Sequence, residues 1–291
     1  MSILGNFFAN TSCGKRKNMV DFVSKLRYDV YDLKNLIALL CSPQGCPWDR
    51  EQTHESIRRN LLEEAYETAD AIELNNTEDL IEELGDVLMQ VIFHADIAQR
   101  ANSFTFDDIA DMTCKKLIRR HPHVFGNVKA KNGNESLIVW DDIKREEKRH
   151  ETTSAAMRSV ARSLPALWQA EKIQKKAAKA GFDWPDHRGA LEALQAEFTE
   201  LTNAITDHIA KADNSEAVDR VSEELGDILF SAVNVARFFD IDPEEALKST
   251  NDKFIKRFSF IEETAGRQDS KLESMSFDEM EALYQQGKLE K

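Results

Sequence analysis

Turn-forming residues are scarce in this chain: 291 residues hold only 11 glycines and 6 prolines. That leaves few positions for turns and favours helix. Cysteine is sparse too. Cys13, Cys41, Cys46 and Cys114 form no CxxC pair and no disulfide framework, which fits a reduced, cytoplasmic setting. No apolar run reaches the roughly 18–20 residues of a membrane span, so no membrane partner is expected. Lys15, Arg16 and Lys17 follow the short N-terminal apolar stretch instead of preceding it, the wrong order for a signal peptide. Basic residues are outnumbered, 38 against 52 acidic, for a net charge of −14. Such a chain repels a phosphate backbone, and nucleic acid is not an expected partner. Small phosphates stay accessible if divalent cations sit between the two negative partners.

What is present is helical periodicity, in a chain 42% hydrophobic and 31% charged. The spacing predicts a helix over 55–74, with Ile57, Leu61, Leu62, Ala65, Ala69 and Ile72 on one side and Glu63, Glu64, Glu67 and Asp70 on the other. Asn75-Asn76-Thr77 makes a turn with Thr77 as N-cap, and a second helix follows over 78–100. From Leu84 to Phe93 that helix is apolar nearly all round, the pattern of a buried helix. Gly85 inside it suggests the close approach of another backbone, since Gly costs roughly 1 kcal/mol against Ala in a helix.

The chain then repeats itself. Glu82-Glu83-Leu84-Gly85-Asp86 returns 141 residues later as Glu223-Glu224-Leu225-Gly226-Asp227. Glu64 and Glu67 return as Glu197 and Glu200, Trp48 as Trp184, Lys116 and Arg120 as Lys253 and Arg257, and Trp140 as Tyr284. The order is kept and the offsets drift by a few residues, as in a duplicated domain. The expected division is a weakly ordered extension over 1–24, a first domain over 25–150, a linker over 151–163 and a second domain over 164–291. Pro165 opens the second domain's first helix.

Each copy carries paired acids on one helix and an ExxD pair on the next: Glu63, Glu64 and Glu67 with Glu83 and Asp86 in the first. Spacings of three and four stack carboxylates on one helix face. Two short-linked helices pack antiparallel, so their acidic faces can converge. Convergent carboxylates repel, and a hard divalent cation with oxygen ligands removes that conflict. Such an ion orients a polyphosphate and lowers the pKa of an attacking water. A solvated acidic face is the bland alternative for Glu63 to Asp70 alone. It weakens for Glu83 and Asp86, which start an apolar helix, and weakens further because the set recurs. Lys116, Arg119 and Arg120, then Lys253, Lys256 and Arg257, form basic clusters suited to clamping phosphates.

Gly45-Cys46-Pro47-Trp48-Asp49, the EExxE and ExxD pair, Arg119-Arg120-His121-Pro122-His123-Val124-Phe125 and Asn251-Asp252-Lys253-Phe254 with Arg257-Phe258 together resemble the MazG family over about residues 30–290. The resemblance implies an all-α fold of two tandem MazG-like helical-bundle domains, dimerising through helices, within the all-α NTP pyrophosphatase superfamily. It implies a nucleotide diphosphatase acting on acid anhydrides, which hydrolyses nucleoside triphosphates to monophosphate and pyrophosphate. The implied cofactor is Mg²⁺, with Mn²⁺ as substitute, and the implied assembly is a homodimer whose sites use helices of both chains. Carried over by motif, the catalytic metal ligands are Glu64, Glu67, Glu83 and Asp86, then Glu197, Glu200, Glu224 and Asp227. Nucleotide contacts are Lys116, Arg120 and Trp140, then Lys253, Arg257 and Tyr284, with Asn234 reaching the sugar. Tyr284 stands where the family often has Trp, and Ala196 replaces the first Glu of the second EExxE.

Two other readings compete. A di-iron bundle needs paired Glu-x-x-His motifs, and only Glu51-x-x-His54 qualifies, unrepeated. A non-catalytic nucleotide-binding or protein-interaction module is the other, kept open for the second copy by Ala196. His94 reads as a core or supporting residue, His121 and His123 as helix terminators, and Trp48 and Trp184 as core or interface anchors.

Overall fold

A computed structural model describes residues 24–148, 152–210, 215–267 and 270–289. Most of the expected N-terminal extension, and residue 151 of the expected linker, lie outside them. The described residues are helical, with no strand among them. They divide into two compact units between Glu147 and Lys148.

In the first unit α1 (Val30–Leu40) is followed by α2 (Pro47–Glu51), α3 (Arg58–Glu73), α4 (Thr77–Arg100), α5 (Phe106–Arg120), α6 (Pro122–Phe125) and α7 (Gly133–Lys148). The α3–α4 hairpin is the frame, and α1 and α5 pack on α4. The core joins Ile37 and Cys41 to Ile57, Ile92 and Phe93. Gly45 is obligatory in the α1–α2 turn, because a Cβ there would fall 2.2 Å from the carbonyl oxygens of Leu39 and Leu40.

The second unit holds α8 (Thr153–Arg158), α9 (Ala166–Lys179), α10 (His187–Ala210), α11 (Ser215–Phe238), α12 (Pro243–Arg267) and α13 (Phe277–Gly287). The α10–α11 hairpin repeats α3–α4, and α9 packs on α11 as α1 packs on α4. Trp168 Nε1 donates to both carboxylate oxygens of Asp242 at 2.8 and 2.9 Å, pinning α9 to the start of α12. The copies differ where Pro122 interrupts the first. It ends α5, whereas the matching stretch of α12 runs on to Arg267.

Several expectations need correction. The helix expected from 55 begins at Arg58, because Thr53 and Ser56 cap each other's backbone N–H and hold 53–56 as a turn. Asn76, not Thr77, caps α4, its side chain accepting from Glu78 N and Asp79 N. Pro165 is the N-cap of α9, and part of the expected linker, 153–158, is the helix α8 packed on α9.

The burial pattern differs more. Of the apolar side expected on α3, Ile57 is buried, but Leu62 and Ile72 are exposed. On α4 the buried residues, Gln90, Ile92, Phe93, Ala95 and Ala98, cluster in the C-terminal half, against α1. Ile81 and Leu84 are 70% and 51% exposed. Among the described residues nothing lies within 4 Å of a Cβ placed on Gly85 or Gly226, so none of them supplies the close backbone expected there. Trp48 is no core anchor either, at 62% exposure. A helix in a hairpin buries only the stripe its neighbours reach, and α1 covers the far half of α4.

Candidate functional site

The hairpins bring the predicted acids together. In the first copy, α3 supplies Glu64 and α4 supplies Glu83 and Asp86, whose ligand oxygens lie within 4.8 Å of one another. In the second, α10 supplies Glu197 and Glu200 and α11 supplies Glu224, with the same spacing. Glu67 and Asp227 stand outside these trios, yet their charges act on them. Burial, then Asp86 and Glu67, pushes the Glu64 carboxyl up from its ordinary range. Burial, then Glu67, Asp86 and Glu64, does the same to Glu83. Burial, then Asp227, Glu200 and Glu224, raises Glu197.

Glu83 Oε2 is buried with no hydrogen-bond partner. A carboxylate oxygen without a donor, among carboxyls raised by one another, is an arrangement that fits a divalent cation. All-oxygen donors of this kind suit a hard divalent ion such as Mg²⁺ or Mn²⁺. The second cluster is partly compensated from within: Arg220, one turn before Glu224, approaches its carboxylate at 3.6 Å and also reaches Asp207 at 3.4 Å.

The raised carboxyls set a sign for pH. Their unfolded counterparts titrate at about 4.3, so the folded, metal-free clusters hold extra protons below their raised pKa. Those groups therefore cost stability above that pKa and stop doing so as pH falls through it. A cation must displace the same protons. If a divalent cation binds these clusters, the rise it produces in thermal midpoint is expected to shrink as pH is lowered from about 8 to about 5, with proton release on binding. Calorimetric titration in two buffers of different ionisation enthalpy measures that release.

The predicted nucleotide contacts form a second, duplicated group. The Arg120 guanidinium lies 5.6 Å from the Trp140 ring centroid and the Lys144 ammonium 5.9 Å from it. Arg257 and Lys288 stand at 5.4 and 5.5 Å from the Tyr284 ring. Each copy thus has an aromatic ring flanked by the same two cations. Trp140 Nε1 is buried without a partner, and Tyr284 Oη accepts from Arg257 at 3.3 Å. Lys116 and Lys253 are exposed. Among the described residues no hydrogen bond, ion pair or ring contact joins either basic group to its acidic cluster.

The MazG nucleotide pyrophosphohydrolase domain profile matches this chain twice, over residues 52–125 and 186–259, each match spanning one acidic hairpin. The chain belongs to the MazG family. It is 40% identical to the nucleoside triphosphate pyrophosphohydrolase/pyrophosphatase MazG of Thermotoga maritima, over 88% of this chain and 94% of that protein. It is also 40% identical to the nucleoside triphosphate pyrophosphohydrolase of Escherichia coli K12, over 84% of this chain and 90% of that one. The Bacillus subtilis protein YabN, of uncharacterized function, is 44% identical over 91% of this chain, and the chain spans 53% of YabN's length.

The remaining predicted residues have the following surroundings in the MazG domains. Asn234, expected at the sugar, accepts from Arg237 Nε at 3.0 Å, and Arg237 in turn pairs with Asp183. It is engaged inside its own unit. The Glu51–His54 pair of the di-iron alternative is split: Glu51 is exposed, while His54 Nδ1 meets His94 Nδ1 at 2.8 Å. His94, held below its ordinary pKa by burial and then by His54, pairs with that ring and is outside both carboxylate trios. His121 terminates α5 as expected. Trp184 lies over Gly189, where a Cβ would fall 2.7 Å from its ring.

Three participants escaped the sequence reading. Gln90 lies one turn beyond Asp86, and its side chain partly offsets the rise at Glu64. Arg220 and Glu224 share i,i+4 spacing, so that contact was readable. Glu147, which pairs with Arg120 and Arg119 across 27 and 28 positions, carries no local signal.

Proposed function

We propose that this chain hydrolyses nucleoside triphosphates to the monophosphate and pyrophosphate with Mg²⁺, Mn²⁺ serving as a substitute. The carrying observation is the duplicated carboxylate cluster with its raised acids and the orphaned Glu83 oxygen. The names of the Thermotoga and Escherichia relatives support the same reaction. Glu64, Glu67, Glu83 and Asp86, and Glu197, Glu200, Glu224 and Asp227, would hold the ion. When bound, it supplies charge neutralisation, polyphosphate orientation and an acidified water. Lys116, Arg120, Lys253 and Arg257 balance the charge of the leaving pyrophosphate. The Trp140 and Tyr284 rings offer a face to the base. Asn234, whose Oδ1 accepts from Arg237, would reach the sugar through its Nδ2 amide. A cytoplasmic site of action fits the cysteines, and the net charge of −14 speaks against nucleic acid as a partner. Among the described residues no helix is long and apolar enough to cross a membrane.

The functional unit in this reading is a homodimer joined through the acidic hairpins. Ile81, Leu84 and Leu88 on α4, and Val218, Leu225 and Leu229 on α11, leave apolar surface uncovered beside the clusters. The open space at Gly85 and Gly226 fits a partner helix at close range. Gly85→Ala adds a methyl that meets nothing in the single chain. It should stabilise an isolated α4 by up to about 1 kcal/mol, so a weakened dimer on sedimentation would come from the interface, and an unchanged dimer would remove Gly85 from it.

The deciding assay is pyrophosphate release from a panel of NTPs and dNTPs, with wild type, Glu67→Ala and Glu200→Ala. Monophosphate plus pyrophosphate, reduced by either substitution, establishes the reaction and the copy that carries it. The second reading, a module that binds nucleotide without turnover, is favoured for the second copy by Ala196. Mg²⁺-dependent binding with no pyrophosphate from any nucleotide would establish it.

A further inference from the structure

The two basic–aromatic groups are nearly superposable in composition, yet one is already occupied by an anion. In the first copy Glu147, from the last turn of α7, faces the end of α5. Arg120 donates to Glu147 Oε2 through Nε at 2.9 Å and through a terminal nitrogen as well. Arg119 pairs with Oε1 at 2.5 Å. The side chains of Glu147 and Arg120 are only 11% and 13% exposed, so water screens this pair poorly. A carboxylate held this way, one oxygen by two nitrogens of Arg120 and the other by Arg119, sits where the oxygens of a phosphate would be held. Hydrogen bonds from Arg120, then Arg119, hold the Glu147 carboxyl below its ordinary range, so it stays charged.

The second copy keeps the sandwich. Arg257 donates to Tyr284 Oη, and among the described residues it meets no carboxylate. The offset of 144 that turns Trp140 into Tyr284 and Lys144 into Lys288 turns Glu147 into Lys291. Among the described residues, then, the first clamp sets Arg119, Arg120 and Lys144 against the Glu147 carboxylate, and the second sets Arg257 and Lys288 against none.

We propose that Glu147 sets the affinity of the first copy: its carboxylate occupies the Arg119–Arg120 fork as an internal stand-in for phosphate, so that this copy binds a triphosphate more weakly than the second. The inference rests on the reading above, that these basic groups face the nucleotide. A triphosphate entering the first clamp must displace Glu147, whereas one entering the second displaces only a tyrosine hydroxyl. The duplicated enzyme would then respond over two ranges of nucleotide concentration.

The test uses the full chain with Mg²⁺ and the hydrolysis-resistant analogue α,β-methylene ATP, followed by calorimetric titration. Arg257→Ala is made first, to weaken the second copy. In that background Glu147→Gln, which keeps the side-chain shape and removes the charge, should tighten the remaining binding about tenfold and steepen its dependence on salt. A merely structural brace predicts the opposite sign, because losing it would loosen α5 from α7. If Arg257→Ala weakens binding and Glu147→Gln then leaves it unchanged or weaker, the role given to Glu147 is wrong and the clamp reading stands. If Arg257→Ala leaves all binding intact, the clamp reading itself fails and the inference with it.

Discussion

Glu83→Gln is expected to abolish most of the first copy's activity while making the metal-free chain more heat-resistant. Glu83 shares its site with Glu64 and Asp86, and its Oε2 is buried without a donor. Loss of an outer partner of a metal ligand already costs about 10–100-fold, so loss of a ligand charge should cost about 100-fold or more. Measured as pyrophosphate release in the Glu200→Ala background, the fall reports the first copy alone. The stability change runs the other way, because the substitution removes one of several mutually repelling charges and supplies an amide donor to its neighbours. The thermal midpoint in chelator should therefore rise, and the gain from added Mg²⁺ should vanish. Glu224→Gln is the control. Its carboxylate already has Arg220 at 3.6 Å, so its metal-free midpoint should rise less. Retained activity in Glu83→Gln would remove Glu83 from the ligand set. A lowered midpoint in chelator would mean that the cluster is not under repulsion.

Arg257→Ala should lower kcat/KM of the second copy by roughly 30-fold, the equivalent of about 2 kcal/mol for a charge-assisted bond to phosphate. Little of this can come from misfolding, since among the described residues Arg257 makes one hydrogen bond, to Tyr284, and one ring contact. Tyr284→Phe keeps the ring and should cost a few-fold at most, whereas Tyr284→Ala removes the stacking face and should raise KM for every base. Arg120→Ala in the first copy should have a smaller effect on its own copy's activity, because Glu147 already competes for that guanidinium. Equal losses from Arg120→Ala and Arg257→Ala would contradict the asymmetry between the copies.

Much of this protein was legible as spacing. Carboxylates three and four residues apart announce a helix face, and their return 141 residues later announces a second copy of it. The α3–α4 and α10–α11 hairpins carry those acids. The capping turn at Thr53–Ser56 and the cap at Asn76 obey local rules, yet helical periodicity alone places those helix starts one to three residues away.

The periodicity of a helix is a local property, which is why the all-helical class, the duplication and the acidic faces follow from the amino-acid sequence alone. Which side of a helix is covered is not local. The stripe of Leu62 and Ile72 looks like core and lies exposed, because burial depends on which neighbour reaches it. The same reason brings Glu64 of one helix to Glu83 and Asp86 of the next, with the Glu67 charge acting on both Glu64 and Glu83. It also hides Glu147 from any reading of sequence, for its grip on Arg120 spans 27 residues and exists only because the end of α7 returns to the end of α5. Helical spacing determines which charges share a face; the crossing of helices decides which of them meet.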